Sequence, residues 1–246
     1  MGSLLRPLIL VLLLLSAAPV YSQVATFSGR VIDENTSQGI PDVAIVAQGN
    51  LTGTRVAVSD SQGNYALQMG ANTNVKLRAY RKNFIFNPAF IGFASIGGFV
   101  EGIRTVDFQG AALPFPILIF AQAPILLTQD GSLEGLAVDS VFHLRDPLSL
   151  SNDFYFGSDK RTRINLLLVD IDLFQGENLS IITVQAQDKT MVTHNLVVED
   201  LRKVPGVPWM SQLTVRLPDV LVVPNDLTMT VTARNLTSNA VTLKVQ

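Results

Sequence analysis

Apolar and polar residues alternate with a period of two through most of this chain, the spacing of half-buried strands and not of helices. Thr26-Phe27-Ser28-Gly29-Arg30-Val31-Ile32-Asp33 alternates and then breaks at the turn cluster of residues 34–39. Val43-Ala44-Ile45-Val46 follows, and residues 50–53 turn the chain again. The clearest local signal is Val-Ala-Val-Ser-Asp-Ser-Gln-Gly-Asn-Tyr-Ala-Leu at 56–67. It predicts a β-hairpin, because Asp60 and Asn64 can bond their own backbone and Gly63 tolerates positive φ. In Asn74-Val75-Lys76-Leu77-Arg78-Ala79-Tyr80, Val75, Leu77 and Ala79 are expected to point inward, and Lys76, Arg78 and Tyr80 outward.

Strand-like runs recur at 138–144, 163–173, 180–186, 194–198, 213–217, 227–233 and 240–245. That number and spacing predict an immunoglobulin-like sandwich over 125–246. The run Ile164 to Val169 is apolar on both faces except at Asn165, so it is expected to be covered on two sides. Such a strand is either central in its sandwich or docked by its outer face on the linker or on another protein.

The first residues change the picture from fold to compartment. Arg6 precedes an uncharged, largely aliphatic run, and Val20-Tyr21-Ser22 supplies small residues where a leader is cut. Residues 1–22 therefore read as a secretory signal peptide, its apolar core too short for a spanning helix. Its removal leaves 17 basic against 20 acidic residues, so no broad charge argues for nucleic acid or an anionic membrane. The chain has no cysteine, so an exported protein of this kind is held by burial, for which 48% hydrophobic residues suffice. Residues 111–124 are uncharged and carry Pro114, Pro116 and Pro124, which argues against a membrane helix and for a stiff interdomain linker whose apolar residues dock on the domains.

The order Phe27-Ser28-Gly29-Arg30-Val31-Ile32-Asp33, Gly39-Ile40-Pro41-Asp42-Val43 and Ser59-Asp60-x-x-Gly63-Asn64-Tyr65-Ala66-Leu67 resembles the carboxypeptidase regulatory-like domain. Phe84-Ile85-Phe86-Asn87-Pro88-Ala89 and Val106-Asp107-Phe108 fit the late strands of the same family. The resemblance covers 24–108 and implies a transthyretin-like sandwich used as a non-catalytic scaffold. Leu126 to Gly131, Asp139-Ser140-Val141, Arg145-Asp146-Pro147, Lys203 to Gly206 with Trp209, and Val215 to Pro218 resemble an uncharacterised C-terminal module of secreted bacterial, especially acidobacterial, proteins. The expected fold class is all-β, with two tandem β-sandwich domains, transthyretin/prealbumin-like and then immunoglobulin-like. The expected layout is a leader at 1–22, a first sandwich at 23–110, a linker at 111–124 and a second sandwich at 125–246.

Candidate chemistry is sparse. Asp139, Ser140 and His143 suggest a serine hydrolase, yet on a strand Ser140 and His143 point oppositely, and Asp139 and His143 lie roughly 13 Å apart. No Gly-x-Ser-x-Gly elbow occurs. The first unit also lacks the histidines on which a purine-pathway hydrolase of transthyretin-like fold depends. His143 and His194 stand apart in sequence, which disfavours a transition metal. Asp33, Glu34, Asp60, Asn64, Asp170 and Asp172 are possible calcium ligands, but turn and strand-end roles account for them more simply. The sequons at Asn35, Asn50, Asn178 and Asn235 fall in expected turns and read as turn chemistry in a bacterial protein. Phe84, Phe86, Phe90, Phe93 and Phe99 read as core packing, since a sugar platform favours Trp and Tyr.

One possible ligand face remains, the stripe Lys76, Arg78, Tyr80 and Lys82, which suits an anionic glycan or a protein partner. The expectation is a secreted or cell-surface non-enzymatic protein without cofactor or metal, with a structural, adhesion or protein-interaction role. The alternative is a carbohydrate-binding or calcium-dependent binding module.

Overall fold

Alternation becomes strand almost wherever it occurs. The computed structural model describes residues 24–113, 121–155, 158–218 and 220–246. The expected leader, and residues 114–120 of the expected linker with Pro114 and Pro116, lie outside the described residues. The first unit contains β1 (Ala25–Asp33), β2 (Ala44–Gly49), β3 (Gly53–Val58), β4 (Asn64–Met69), β5 (Asn74–Tyr80), β6 (Phe84–Asn87), β7 (Ile91–Ala94), β8 (Gly102–Thr105) and β9 (Phe108–Ala112). One sheet runs β4-β1-β9-β6, with β8 on β1, and the other runs β3-β2-β5-β7. Phe27, Val31, Tyr65, Leu67 and Met69 from the first sheet meet Ile45, Ala47, Val75, Leu77 and Ala79 from the second in one buried core. This is a two-sheet β-sandwich, as the alternation implied.

The turn at 59–64 forms as its residues require, but the hairpin does not. Asp60 Oδ1 accepts the N–H groups of Gln62 at 2.9 Å and Asn64 at 2.8 Å, and Gly63 takes φ +83°. The strands it joins enter different sheets: β3 pairs with β2, and β4 pairs with β1. The turn is thus an arch across the core. Ser59 anchors its near end by receiving the Val43 N–H and donating to the Ile40 carbonyl. Turn chemistry specifies the reversal; the partner is chosen by the longer ladders that β1 and β2 offer.

The second unit contains β10 (Ile125–Leu126), β11 (Ala137–Asp139), β12 (Arg163–Val169), β13 (Ile182–Gln187), β14 (Thr193–Val204), β15 (Val207–Arg216), β16 (Asn225–Ala233), β17 (Leu236–Thr237) and β18 (Val241–Val245). β10 and β11 lie on β12, which pairs with β15, and β15 with β14; β14 also pairs with β13, then β16 and β18. Those two groups are the layers of an immunoglobulin-like sandwich. β14 serves both: Thr193 to Leu196 pair with β13, and from Val197 onward the strand pairs with β15, with a bulge between Val198 and Asp200. Ile164, Leu166 and Leu168 of β12 face Val184, Val231 and Leu243 in a second buried core.

Four expected strands change length by more than two residues. The run at 138–144 stops at Asp139, whose Oδ1 accepts the N–H groups of Val141 and Phe142 at 2.8 Å each and turns the chain. The run at 163–173 stops at Val169, because Asp170 takes φ +60°. The runs at 194–198 and 213–217 lengthen into a long hairpin through Gly206, which takes φ +77°.

Candidate functional site

The outer face of the β3-β2-β5-β7 sheet is not left to solvent. Val46 and Tyr80 from that face, Ile125 and Leu127 around β10, and Val169 of β12 form a third buried cluster between the sandwiches. Val56, Leu167, Trp209 and Met210 pack against it. β12 is therefore covered on both faces, as its sequence implied, and its outer cover is the first sandwich. Full burial of each large aliphatic chain contributes about 1.5–3 kcal/mol, so this cluster alone holds the two units together firmly.

Polar contacts fix the register of the seam. The Thr54 N–H donates to Thr128 Oγ1 and the Thr128 N–H donates to Thr54 Oγ1, both at 2.8 Å, and both threonines are buried. Gly53 lies against the second sandwich so closely that a Cβ there would sit 2.0 Å from the Ser132 carbonyl oxygen. Nearer the surface, Arg55 pairs with Asp130.

Toward the β5 end of the seam the contacts become ionic. Arg78 Nη2 lies 3.2 Å from Asp170 Oδ2 and donates to the Ala123 carbonyl at 2.7 Å. Among the described residues, Arg78 Nε has no hydrogen-bond partner. Tyr80 donates its hydroxyl proton to Asp172, and Lys203 Nζ lies 2.9 Å from both the Tyr80 hydroxyl and Asp172 Oδ1. Arg234 pairs with Glu177, donates to the Asp172 carbonyl, and stacks over the Phe174 ring at 3.8 Å. Burial pushes the Asp170 carboxyl up to about 6 against the pull of Arg78, and it pushes the Tyr80 hydroxyl well above its ordinary range, with Asp172 adding to the effect.

Lys76, Arg78, Tyr80 and Lys82 all line one cleft of about 420 Å³ where the seam opens. The structure divides them. Lys76 and Lys82 are exposed, whereas Arg78 is only 4% and Tyr80 only 6% exposed. The expected ligand face is corrected accordingly: Arg78 and Tyr80 do point away from their own core, but the second sandwich covers them. Tyr80 offers no free stacking face. That surface belongs to Phe90, which is 53% exposed and carries Lys76 Nζ 4.0 Å from its ring centre. Phe84, Phe86 and Phe93 pack on the core as expected, and Phe90, also expected there, does not.

Other candidate groups are occupied structurally. Asp139 Oδ2 accepts the Tyr155 hydroxyl proton at 2.9 Å, and exposed His143 sits in the following turn at φ +56°. His194 Nε2 lies 3.1 Å from Asp188 Oδ2. Asp33 caps a turn through the N–H groups of Asn35 and Thr36. Among the described residues, no three His, Cys, Asp or Glu side chains are grouped to hold a metal ion. Sequence reasoning missed the seam pairs. Their signal was present in the apolar outer face of β12, followed at once by Asp170 and Asp172.

No family model matches the chain, and no curated protein matches it. Solved structures give distant likenesses. The major pilin subunit BcpA of Bacillus cereus is 8% identical at a TM-score of 0.29, over 91% of this chain and 70% of that one. The shaft pilin SpaA of Lactobacillus rhamnosus GG is 7% identical at 0.27, over 91% and 97%. A DUF3823 family protein of Bacteroides ovatus is 9% identical at 0.24, over 90% and 100%. At those scores the superpositions do not establish a shared fold. The chain itself is all-β, two tandem sandwiches joined face to face across a buried seam.

Proposed function

We propose that this protein is a non-enzymatic structural element of the cell surface or extracellular space, in which two sandwiches act as one stiff body. The observation that carries this reading is the seam. A flexible pair of domains meets through a polar, easily parted interface, whereas here an apolar cluster is flanked by reciprocal threonine bonds and buried ion pairs. Such a joint transmits load and holds spacing. Of the residues that suggested hydrolytic chemistry, Asp139 closes a turn and receives the Tyr155 hydroxyl proton, and His143 lies exposed in that turn. The leader-like residues 1–22 support export.

Two measurements test it. Residual dipolar couplings from both sandwiches are expected to fit one alignment tensor; two independent tensors would overturn the stiff-body reading. A tagged chain expressed in a bacterial host is expected outside the cytoplasm without residues 1–22. Retention in the cytoplasm with those residues intact would overturn the surface assignment.

A further inference from the structure

The cleft at the open end of the seam carries more positive charge than the seam consumes. Arg78 is matched by Asp170, Lys203 by Asp172, and Arg234 by Glu177. Lys76, Arg81 and Lys82 also line the cleft, and among the described residues none of them has a carboxylate within ion-pair distance. Two of these cations are held against rings, Lys76 over Phe90 and Arg81 over Phe84 at 4.8 Å. Partial desolvation and the nearby Arg78 pull the Lys76 ammonium below its ordinary range, as expected of a cation that would gain from an anion beside it.

Between these cations the lining is largely apolar; its uncharged amides are Asn83 and Gln122, and Asp170 and Asp172 are already engaged by Arg78, Lys203 and Tyr80. Phe84, Phe86, Phe90 and Phe174 contribute rings, and none brings a polar handle for sugar hydroxyls. A fully hydroxylated anionic glycan would find few partners beyond Asn83 and Gln122 and would leave most of its hydroxyls unpaired against those rings. A small phosphate ester would meet the cations but leave the rings uncovered. One carboxylate joined to an aromatic or branched apolar body matches both components, and a cleft of about 420 Å³ accommodates a ligand of that size.

We propose that the cleft between the sandwiches binds a small amphipathic carboxylate, with Lys76 or Lys82 meeting the carboxylate and the neighbouring Phe90 or Phe84 meeting its apolar body. The source of the carboxylate is either a free aromatic acid or the C-terminus of an extended peptide. This site is independent of the spacer reading, since a stiff seam with an empty cleft would still hold spacing.

The test is a protein-observed NMR titration of the full protein with N-acetyl-phenylalanine, its uncharged amide, and a blocked Ala-Ala-Phe tripeptide with a free C-terminus. The acid is expected to shift resonances of residues 76–90, with millimolar affinity for so small a ligand. It should bind roughly tenfold more tightly than the amide, as a charge-assisted contact requires. In the double variant Lys76→Gln, Lys82→Gln, the acid should fall to the affinity of the amide. Lys76 and Lys82 are exposed, so the variant keeps the fold, and unchanged shifts of the core strands verify this. Tighter binding of the tripeptide than of the acid assigns the source to a chain terminus, and equal or weaker binding assigns it to a free acid. Equal affinity of acid and amide, unchanged acid affinity in the double variant, or no shift in the cleft at about 10 mM ligand would overturn the proposal.

Discussion

Gly53 and Gly131 offer a matched pair of substitutions that isolates the seam. Both glycines adopt φ +72°, so alanine at either incurs the same left-handed backbone penalty, about 1–2 kcal/mol. They differ in what the new methyl group meets. At Gly131 nothing lies within 4 Å, whereas at Gly53 the Cβ would fall 2.0 Å from the Ser132 carbonyl oxygen and 2.1 Å from Thr128 Oγ1. Ordinary contact demands about 3 Å, so the sandwiches must part by about 1 Å at that point. The reciprocal Thr54 and Thr128 bonds, each 2.8 Å, do not survive such a shift, and two buried donors then lose their partners. At about 1–3 kcal/mol for each unsatisfied group, Gly53→Ala should cost about 3–8 kcal/mol in all. Trp209, the one tryptophan of the chain, packs on the seam cluster and reports its opening directly. In urea unfolding followed by its fluorescence, Gly53→Ala should lower the midpoint by about 1–3 M, and Gly131→Ala by half as much or less. Equal losses in the two variants would show that the contact across Gly53 contributes nothing, and the reasoning would fail.

The raised Asp170 carboxyl gives the seam a pH dependence of defined sign. Its pKa of about 6 lies above the ordinary 3.8, so the folded protein holds that proton more tightly than the unfolded chain does. Its contribution therefore favours folding at acid pH and fades as pH rises from about 4 through 6. Urea midpoints between pH 5 and 7 should show this slope in the native protein and a flatter one in Asp170→Asn, which keeps a side chain tolerant of left-handed backbone; identical slopes would refute it. Tyr155→Phe removes a buried hydroxyl that donates to Asp139 and receives the Arg163 N–H at 3.0 Å. It should cost about 1–3 kcal/mol in thermal unfolding, and a change under about 0.5 kcal/mol would contradict that role. Asp60→Ala should lower the melting temperature by releasing the Gln62 and Asn64 N–H groups, and an unchanged scan would show that the arch does not depend on that carboxylate.

Much of the fold was legible because a period of two is a local property. Val75, Leu77 and Ala79 were assigned inward, and they are buried in the first core. Partner choice was not legible, since it depends on ladders between distant residues. The turn at Asp60 and Gly63 shows this, for its residues dictate a reversal while β3 and β4 join opposite sheets. The candidate site shows it again. Outward placement of Arg78 and Tyr80 was readable from alternation, but their burial depends on Asp170, Asp172 and Lys203, which lie 92 to 123 residues further along the chain. The doubly apolar face of β12 was the trace that the seam left in the sequence.

Hydrogen exchange at the Thr54 and Thr128 amides tests the joined-sandwich account most directly, because each donates across the seam. The account predicts protection close to that of the core amides of β12, lost together with Trp209 fluorescence as the protein unfolds. Exchange of these two amides at the rate of exposed turns such as Asn35, while the amides of β12 stay protected, would show two sandwiches that merely touch.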